Sequence, residues 1–275
     1  MIRGTDMESN VNQTRREIAL QLKADIVRES TVPFCKIVLT TDECTVFDSK
    51  VGGLPYLPQG ASLPVGGSGK SLPLLAQINC EELPAMDDFP QKGMLQFFMS
   101  DGDFDREDYQ NPTVQRHWRV VYYSEIDRSA AAVQKMGMAE NGVTEGEYRM
   151  TFVPAAEGLT VDDFHFEREF LRRWGEIFPD EHPKSMYGLR NVPNTVFYND
   201  ASEYGQHKIG GYPCFAQDDP RRDDAYDTLL FQLDADTHGD VYVMYGDSGV
   251  INFFIHHEAL KKLDFSDILW NADCC

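Results

Sequence analysis

Two stretches of the chain, "KVGGLPYLPQG" at residues 50–60 and "KIGGYPCFAQDDP" at residues 208–220, share one phrase. Lysine, an aliphatic residue, two glycines, a variable residue, proline and, after three more residues, glutamine recur in the same order. Glycine reaches positive φ at little cost, and proline fixes its own φ near about −65°. Both stretches therefore predict a sharp turn, and their recurrence indicates how the chain is built.

The repetition continues downstream of both turns. Residues 74–79, "LLAQIN", correspond to residues 229–234, "LLFQLD", and residues 93–99, "GMLQFFM", correspond to residues 249–255, "GVINFFI". These blocks are dense in phenylalanine and branched aliphatic residues, which is typical of strands buried on most of their surface. Three blocks in the same order indicate an internal duplication.

The duplication predicts an α+β fold, with mixed, mainly antiparallel sheets built from two pseudo-symmetric, intertwined repeats and flanked by helices. We expect a single domain over residues 1–275, because two open strand units cannot each close a core and so must pair. Its predicted parts are repeat one at about 45–125, an insert at about 126–205, repeat two at about 206–270 and a disordered segment at 1–12.

Outside the matched blocks, apolar spacing predicts an amphipathic helix over residues 14–29 and a short helix over 256–263. Residues 33–40 and 117–126 are rich in β-branched and aromatic side chains and are predicted strands. Within the insert, we expect Thr160 to cap a helix that buries an aromatic stripe and ends before Pro179.

The charge, the apolar runs and the cysteine spacing of the chain limit the classes of function that it can have. A formal net charge of −20 repels phosphates and anionic lipid, so binding to nucleic acid or to a membrane surface is not expected. No apolar run is long enough to span a bilayer, and the first twenty residues lack the apolar segment of a secretion signal. Six scattered cysteines without a Cys-x-x-Cys pair predict reduced thiols and the cytoplasm, with Cys274–Cys275 left open as a redox or soft-metal pair.

Two motifs resemble catalytic or nucleotide-binding signatures without meeting their requirements. "GGSGKS" at 66–71 resembles a phosphate-binding loop, but Pro64 occupies its first glycine position and Pro73 obstructs the helix that should follow. "GDSG" at 246–249 resembles a protease nucleophile turn, but in the duplication only its glycine persists, which indicates the start of a strand. We therefore predict no catalytic residue and no cofactor.

The acidic runs at 101–108, 218–224 and 234–240 read as a solvated face, with a basic partner or a bound cation as the alternatives. "DADTHGD" begins like a calcium loop, but Tyr245 stands where a bidentate glutamate is required, so a helix-loop-helix calcium site is excluded. No metal site is predicted, and only a looser calcium site is left open, at Asp234, Asp236 and Asp240.

Polar residues inside the apolar blocks are the remaining candidates for a site: Gln59, Gln77, Gln217 and Gln232. A buried amide requires partners, so each glutamine either ties a Gly-Gly turn to a strand or lines a polar cleft that receives a ligand. Asp219, Arg221 and Asp247 belong only to the second copy. In the ligand hypothesis, Arg221 clamps an anion and the aspartates orient it.

Four segments, "KIGGYPCFAQDDPR", "LLFQLDAD", "GDSGVINFFI" and "FSDILWNADCC", together resemble the YwqG family, a bacterial family of unknown function. The resemblance covers about residues 30–275. It implies an intracellular α+β protein, and the occurrence of relatives in toxin and immunity neighbourhoods implies a binding role. The family offers no catalytic residues to carry over.

Two classes of function stay open. In the first, the protein is a non-catalytic binding protein, such as an immunity or adaptor protein, whose acidic surface covers a basic protein partner. In the second, it is a small-ligand sensor or an enzyme with a polar cleft near Gln217, Asp219 and Arg221. The lack of a coherent nucleophile, metal cluster or cofactor loop in the sequence favours the first.

Overall fold

The structure is a computed structural model that describes residues 3–100, 102, 104, 106–128, 142–198 and 207–274, with helix side chains from Thr14 onward. Its helices are α1 (Arg3–Glu29), α2 (Arg106–Gln110), α3 (Phe164–Ile177) and α4 (His257–Lys261). Its strands are β1 (Val32–Thr40), β2 (Lys50–Val51), β3 (Leu74–Asn79), β4 (Met94–Met99), β5 (Trp118–Tyr123), β6 (Tyr148–Glu157), β7 (His207–Gly210), β8 (Thr228–Leu233), β9 (Val250–Ile255) and β10 (Ile268–Asp273).

All ten strands belong to one sheet, in the order β10-β9-β8-β7-β1-β6-β2-β3-β4-β5. The long strands β1 and β6 form its centre, with Val32 opposite Glu157 and Thr40 opposite Arg149. On one side β1 pairs with β7, and on the other side β6 pairs with β2. From this centre, β2–β5 and β7–β10 each run outward as a meander, so the strand order reads alike from both edges.

The sheet curls until it is nearly barrel-shaped and encloses the main core. The Phe97 ring on β4 lies 4.7 Å from Phe231 on β8 and 4.8 Å from Phe253 on β9. The two edge strands also approach each other, since the Trp118 ring on β5 lies 6.4 Å from the Trp270 ring on β10. Full burial of one such aromatic side chain contributes about 1.5–3 kcal/mol. The two meanders therefore share one core.

A second apolar cluster joins the two long helices. The predicted amphipathic face of α1 and the aromatic stripe of α3 are both confirmed, and the buried residues are Ala19, Leu22, Ile26, Phe166, Phe170 and Trp174. The cap of α3 differs from the prediction. Asp163, rather than Thr160, accepts a hydrogen bond from the His165 N–H, at 2.9 Å, while the Thr160 hydroxyl donates to the Pro213 carbonyl.

Several fold predictions meet a clear outcome. The strands expected over 33–40, within 117–126 and in the four matched blocks are confirmed, as is the α+β class. The expectation of mainly antiparallel pairing is confirmed, but the expectation of more than one sheet, with some parallel pairing, is wrong, because the described strands form a single sheet whose pairs are all antiparallel. The helix α1 begins at Arg3 and so includes residues predicted to be disordered. None of the described helices combines the length and apolarity needed to cross a bilayer.

Candidate functional site

Each Gly-Gly pair forms the left-handed turn that the sequence predicts. Gly52 and Gly53 have φ values of 72° and 73°, and Gly210 and Gly211 have values of 70° and 72°. A Cβ atom on Gly53 would collide with the Glu147 carboxylate, and one on Gly211 with the Glu157 carboxylate. Glycine is therefore required both by the backbone conformation and by the close approach of an acidic side chain.

Those two carboxylates neutralise the lysines that precede the glycines. Lys50, buried in the sheet, donates to Glu147 at 2.5 Å. Lys208, also buried, donates to both oxygens of Glu157 at 2.8 Å. A buried ammonium group is tolerated only when it is paired and hydrogen-bonded, so these contacts hold each turn against the sheet rather than leaving a charge free.

A buried amide ties the first turn to the sheet. Gln77 on β3 accepts hydrogen bonds at its Oε1 from the Tyr56 N–H, at 2.9 Å, and from Gln96 Nε2, at 3.1 Å. Its Nε2 donates to the carbonyl groups of Val46 and Asp48, at 3.0 and 2.8 Å. All of its polar capacity serves the fold.

The second turn has the same arrangement. Gln232 on β8 accepts from the Cys214 N–H at 2.9 Å and from Asn252 Nδ2 at 3.0 Å. Asn252 Oδ1 in turn accepts from Asn271 on β10, at 3.4 Å. In the first meander, Gln96 occupies the position of Asn252, but the residue opposite it on β5 is Val121, which has no side-chain donor. Gln96 Oε1 therefore has no hydrogen-bond partner within the described ranges. For Gln77 and Gln232, these contacts match the interpretation that each amide ties a turn to a strand.

Gln59 and Gln217 do not share this environment. Gln59 is exposed in the turn that follows β2, and Gln217 is exposed on the loop between β7 and β8. The Gln217 side chain donates to the Cys274 carbonyl at 2.7 Å, and its backbone N–H donates to Asp273 at 2.8 Å. The expectation that all four glutamines are buried amides is therefore wrong for these two, because both lie beyond the prolines, on the solvent side of the turns.

Arg221 lies at the buried end of an ionic cluster that reaches the surface, which we name the Arg221 cluster: Asp163, His165, Asp219, Arg221 and Asp224. The Arg221 guanidinium donates from Nη2 to Asp163 and to Asp219, both at 2.7 Å, and from Nε to Asp219 at 3.0 Å. It is 4% exposed and is flanked by the rings of Phe164 and Phe254. The geometry does not support an anion clamp, because two internal carboxylates already take its charge.

The same cluster continues outward through a histidine. One ring nitrogen of His165 lies 2.6 Å from Asp163 Oδ1, and the other lies 2.8 Å from Asp224 Oδ1. Burial alone would raise the pKa of Asp163, but the hydrogen bonds from His165 and the charge of Arg221 outweigh it and lower that pKa. The hydrogen bond to Asp163 in turn raises the pKa of His165 above its usual value. The cluster fastens the start of α3 to the loop before β8.

Replacing His165 with glutamine is expected to destabilise the protein more at mildly acidic than at alkaline pH. A raised folded-state pKa gives stability that is fully present below the unfolded value of about 6.5 and is lost as pH rises through the folded value. Urea unfolding of both proteins across that window measures the difference. Asp224→Asn should reduce the pH-dependent part, and a His165→Gln deficit that stays constant with pH would contradict the pairing.

The remaining predicted residues lie apart from this cluster. Asp247 is exposed in the turn before β9, where the neighbouring Gly246 packs against Cys274. Gln217 also contacts Cys274, so Gln217 and Asp247 lie near the end of β10, whereas Asp219 and Arg221 contact the start of α3. The residues of the predicted ligand cleft therefore do not form one site: they lie in two separate places.

The open calcium hypothesis gains no support from the geometry. Asp236 Oδ1 accepts from the His238 N–H, and its Oδ2 lies 3.3 Å from His207 Nε2; the hydrogen bond with His207 lowers the pKa of Asp236. Asp234 is buried and Asp240 is exposed. Within the described ranges, no group of three or more His, Cys, Asp or Glu side chains could hold a metal ion.

The described cysteines are free thiols. Burial raises the pKa of Cys35 to about 11, and of Cys80 and Cys214 to about 12. A thiol with such a pKa stays protonated near neutral pH, and only the thiolate is a strong nucleophile. Cys275, half of the vicinal pair, lies outside the described residues.

Sequence reasoning missed Asp163, His165 and Asp224 as members of the Arg221 cluster. Nothing in the local sequence links Asp163, at the start of α3, to Arg221, which lies in the loop before β8. The four aspartates and two arginines of "DDPRRDD" were the one available sequence signal of an ionic cluster. That signal does not indicate that α3 supplies the other members of the Arg221 cluster.

Comparison with known proteins bears on the family alone. Among curated proteins, none is similar enough in sequence to match. The model of a family described as a domain of unknown function, DUF1963, matches residues 49–274, which include both Gly-Gly turns and every strand from β2 to β10. The chain therefore belongs to the DUF1963 family, a domain of unknown function.

Proposed function

We propose that this protein is a non-catalytic binding protein whose acidic surface docks a basic protein partner. One contrast between buried and exposed charges carries the proposal. The buried cations Lys50, Lys208 and Arg221 are each neutralised internally. The excess negative charge of the chain is left to the surface, where a basic partner can meet it.

The acidic surface is clearest on the loops of the second meander. Asp218, Asp240 and Asp247 are exposed there, and none of the three forms an ion pair with a described residue. Because like charges on one surface repel, a positively charged partner would relieve that repulsion as well as gain attraction. We name these three side chains the acidic loop triad.

The chemistry of the former candidates supports binding over catalysis. Arg221 and Gln232 are occupied by contacts within the protein, and the buried thiols are held in their protonated form. The alternative of a ligand cleft near Gln217, Asp219 and Arg221 would require breaking the Arg221 cluster to admit an anion. That requirement makes it the weaker hypothesis.

The proposal also covers the evolutionary origin of the fold and the cellular compartment of the protein. We propose that β2–β5 and β7–β10 descend from one duplicated unit, and the paired turns and amide contacts at Gln77 and Gln232 support this. The free thiols support the cytoplasm. The resemblance to the YwqG family supports an immunity or adaptor role.

Neutralising the acidic loop triad is expected to weaken capture of the partner. The tagged wild-type chain and the variant Asp218→Asn/Asp240→Asn/Asp247→Asn would be used to recover proteins from native cell extract at low and at high salt. We expect the wild type to retain one basic protein that elutes with salt, and the variant to retain at least about tenfold less.

A charge-matched control keeps the result specific. The variant Glu43→Gln/Asp87→Asn/Glu125→Gln neutralises three exposed carboxylates that lie before β2, between β3 and β4, and after β5 of the first meander, and it removes the same net charge. It should capture the partner nearly as well as the wild type. Equal losses in both triple variants would show a general charge effect, and recovery of no basic protein by the wild type would reject the proposal.

A further inference from the structure

The two edge strands of the sheet face each other across a gap. Among the described strands, β5 pairs only with β4, and β10 pairs only with β9. Across the gap, the Trp118 ring on β5 lies 6.4 Å from the Trp270 ring on β10, and the Tyr122 ring lies 5.1 Å from Phe265, just before β10. Residue numbers rise along one strand as they fall along the other, so the two edges run antiparallel, as neighbouring strands of this sheet do.

Main-chain groups of β5 point into this gap. The Ser100 N–H donates to the His117 carbonyl at 2.8 Å, so these two residues form a hydrogen-bonded pair that continues the pairing of β4 and β5. In an antiparallel ladder, such pairs alternate with pairs whose N–H and C=O groups point away from the partner strand. Trp118, Val120 and Tyr122 therefore turn their main-chain groups away from β4 and toward β10.

The same alternation applies to β10. The Trp270 main-chain N–H donates to the Pro112 carbonyl at 2.9 Å, so Trp270 points away from β9. Ile268 and Ala272, two residues to either side, share that direction. These two residues are 0% and 2% exposed, yet the described residues provide no hydrogen-bond partner for their main-chain groups. Because buried N–H and C=O groups are nearly always paired, this edge has room for further hydrogen bonds.

The connection between β4 and β5 places one side-chain amide in the gap. Gln115 Oε1 accepts from the Val120 N–H on β5 at 3.1 Å, and Gln115 Nε2 donates to the carbonyl of Ser266, two residues before β10, at 3.4 Å. A peptide group inside a sheet does the same, because its C=O and N–H point in opposite directions, toward the two neighbouring strands. The Gln115 side chain therefore takes the role of one peptide group of an absent strand.

Residues 112–115 occupy the gap as an irregular segment and not as a strand. They bond to the two edges through the Pro112 carbonyl and the two ends of the Gln115 amide. None of the four residues is fully buried, and Val114 is 56% exposed. Because the segment adds no buried side chain to the main core, it can leave the gap without unfolding the sheet.

We propose that this gap accepts an extended segment of a partner polypeptide, which displaces residues 112–115 and adds a strand between β5 and β10. A strand that adds to an open sheet edge gains its affinity from main-chain hydrogen bonds. In this gap the segment bonds to two edges at once and satisfies the groups that Tyr122, Ile268 and Ala272 turn toward it. The site lies apart from the acidic loop triad and does not depend on docking there.

The surroundings of the gap determine which side chains of the segment fit. Trp118 and Trp270 belong to the main core and already meet beneath the gap, so only small side chains fit on the inner face of the segment. Its outer face lies near the exposed carboxylates of Asp264 and Asp267, just before β10. Side chains of a strand alternate between its two faces. The gap therefore suits a segment in which small residues alternate with polar or basic ones.

A synthetic peptide tests the site. The probe is an acetylated and amidated octapeptide in which threonine and alanine alternate between two terminal lysines, and fluorescence anisotropy of a labelled copy measures binding. We expect the wild type to bind it. A copy that is N-methylated at its alanines should bind at least about tenfold more weakly, because it keeps every side chain but loses main-chain donors. Equal binding of the two peptides would overturn the proposal.

The displaced amide provides the matched variants. Gln115→Ala should bind the peptide about threefold to tenfold more tightly than the wild type, because the competing amide is gone. Gln59→Ala, which truncates an exposed glutamine in the turn after β2, should leave the affinity unchanged. Neutralising the acidic loop triad should also leave it nearly unchanged, so this proposal and the docking proposal can fail separately. Absence of binding to both the wild type and Gln115→Ala would reject the site.

Hydrogen exchange followed by NMR locates the bound segment. The peptide should slow exchange of the Tyr122 and Ile268 amides, which face the gap, at least about tenfold. It should change exchange of the Val121 and Leu269 amides much less, because these are already bonded to β4 and β9. Strong protection of Tyr122 and Ile268 that the peptide does not increase would show that the two edges pair directly, which would contradict the proposal.

Discussion

Replacing Arg221 with methionine is expected to lower the free energy of unfolding by about 3–5 kcal/mol. The substitution keeps an unbranched apolar stem but removes the guanidinium that joins Asp163 to Asp219. Both carboxylates are almost fully buried and would then lack their main positive partner. Urea unfolding followed by circular dichroism at neutral pH gives the difference from the wild type.

The adjacent arginine provides the control. Arg222 is exposed and, among the described residues, its side chain donates only to the Asp219 carbonyl, at 3.2 Å, so Arg222→Met should cost less than about 1 kcal/mol. Adding Asp219→Asn to Arg221→Met should recover part of the lost stability, because one uncompensated buried charge is removed. Similar losses for both arginines would mean that the Arg221 cluster contributes no more than a surface contact.

This expectation also separates the two function hypotheses. An arginine held ready for an external anion is commonly left with open donors, and removing it costs binding rather than stability. In this protein, Asp163 lies at the start of α3 and Asp219 lies in the loop before β8, so Arg221 joins two separate parts of the fold. A large loss of stability would identify Arg221 as a structural tie, which leaves surface charge as the route to a partner.

The sequence predicts the two meanders well because their information is local. Glycine pairs, prolines and dense apolar blocks specify a turn and a buried strand wherever they occur. The central strand β6 escaped this reasoning. Its residues Thr151, Val153 and Pro154 are exposed, so it lacks the apolar density of the other strands, and a proline argues against a strand in the middle of a sheet. The stability of β6 comes instead from its long antiparallel pairing with β1, which the composition of β6 does not predict.

The candidate site was predictable only where the same local logic applied. Gln77 and Gln232 stand inside apolar blocks, and a buried amide must be satisfied, so their contacts with the turns followed from the pattern. Gln59 and Gln217 recur just as regularly, but recurrence does not report burial. The partnership of Arg221 with Asp163 depends on where α3 docks, and a single sequence contains no direct record of that contact.

Replacing Gln77 or Gln232 with leucine is expected to cost about 3–5 kcal/mol each, the second large effect. Leucine has nearly the right volume but offers no polar atoms. In the first turn it would leave the Tyr56 N–H and the Val46 and Asp48 carbonyl groups without their partner. In the second turn it would leave the Cys214 N–H and the Asn252 side-chain amide without the oxygen that accepts their hydrogen bonds. Thermal and urea unfolding of the three proteins measure the losses.

Gln59→Leu is the matched control, since it makes the same chemical change at an exposed position and should stay within about 0.5 kcal/mol of the wild type. The two meanders share the core around Phe97, Phe231 and Phe253, so both buried variants should still unfold in one transition. Two separate transitions would show that the meanders are independent units. A loss of stability confined to Gln77→Leu would show that the second turn does not depend on the Gln232 amide. The two turns would then have the same shape but would not be stabilised in the same way.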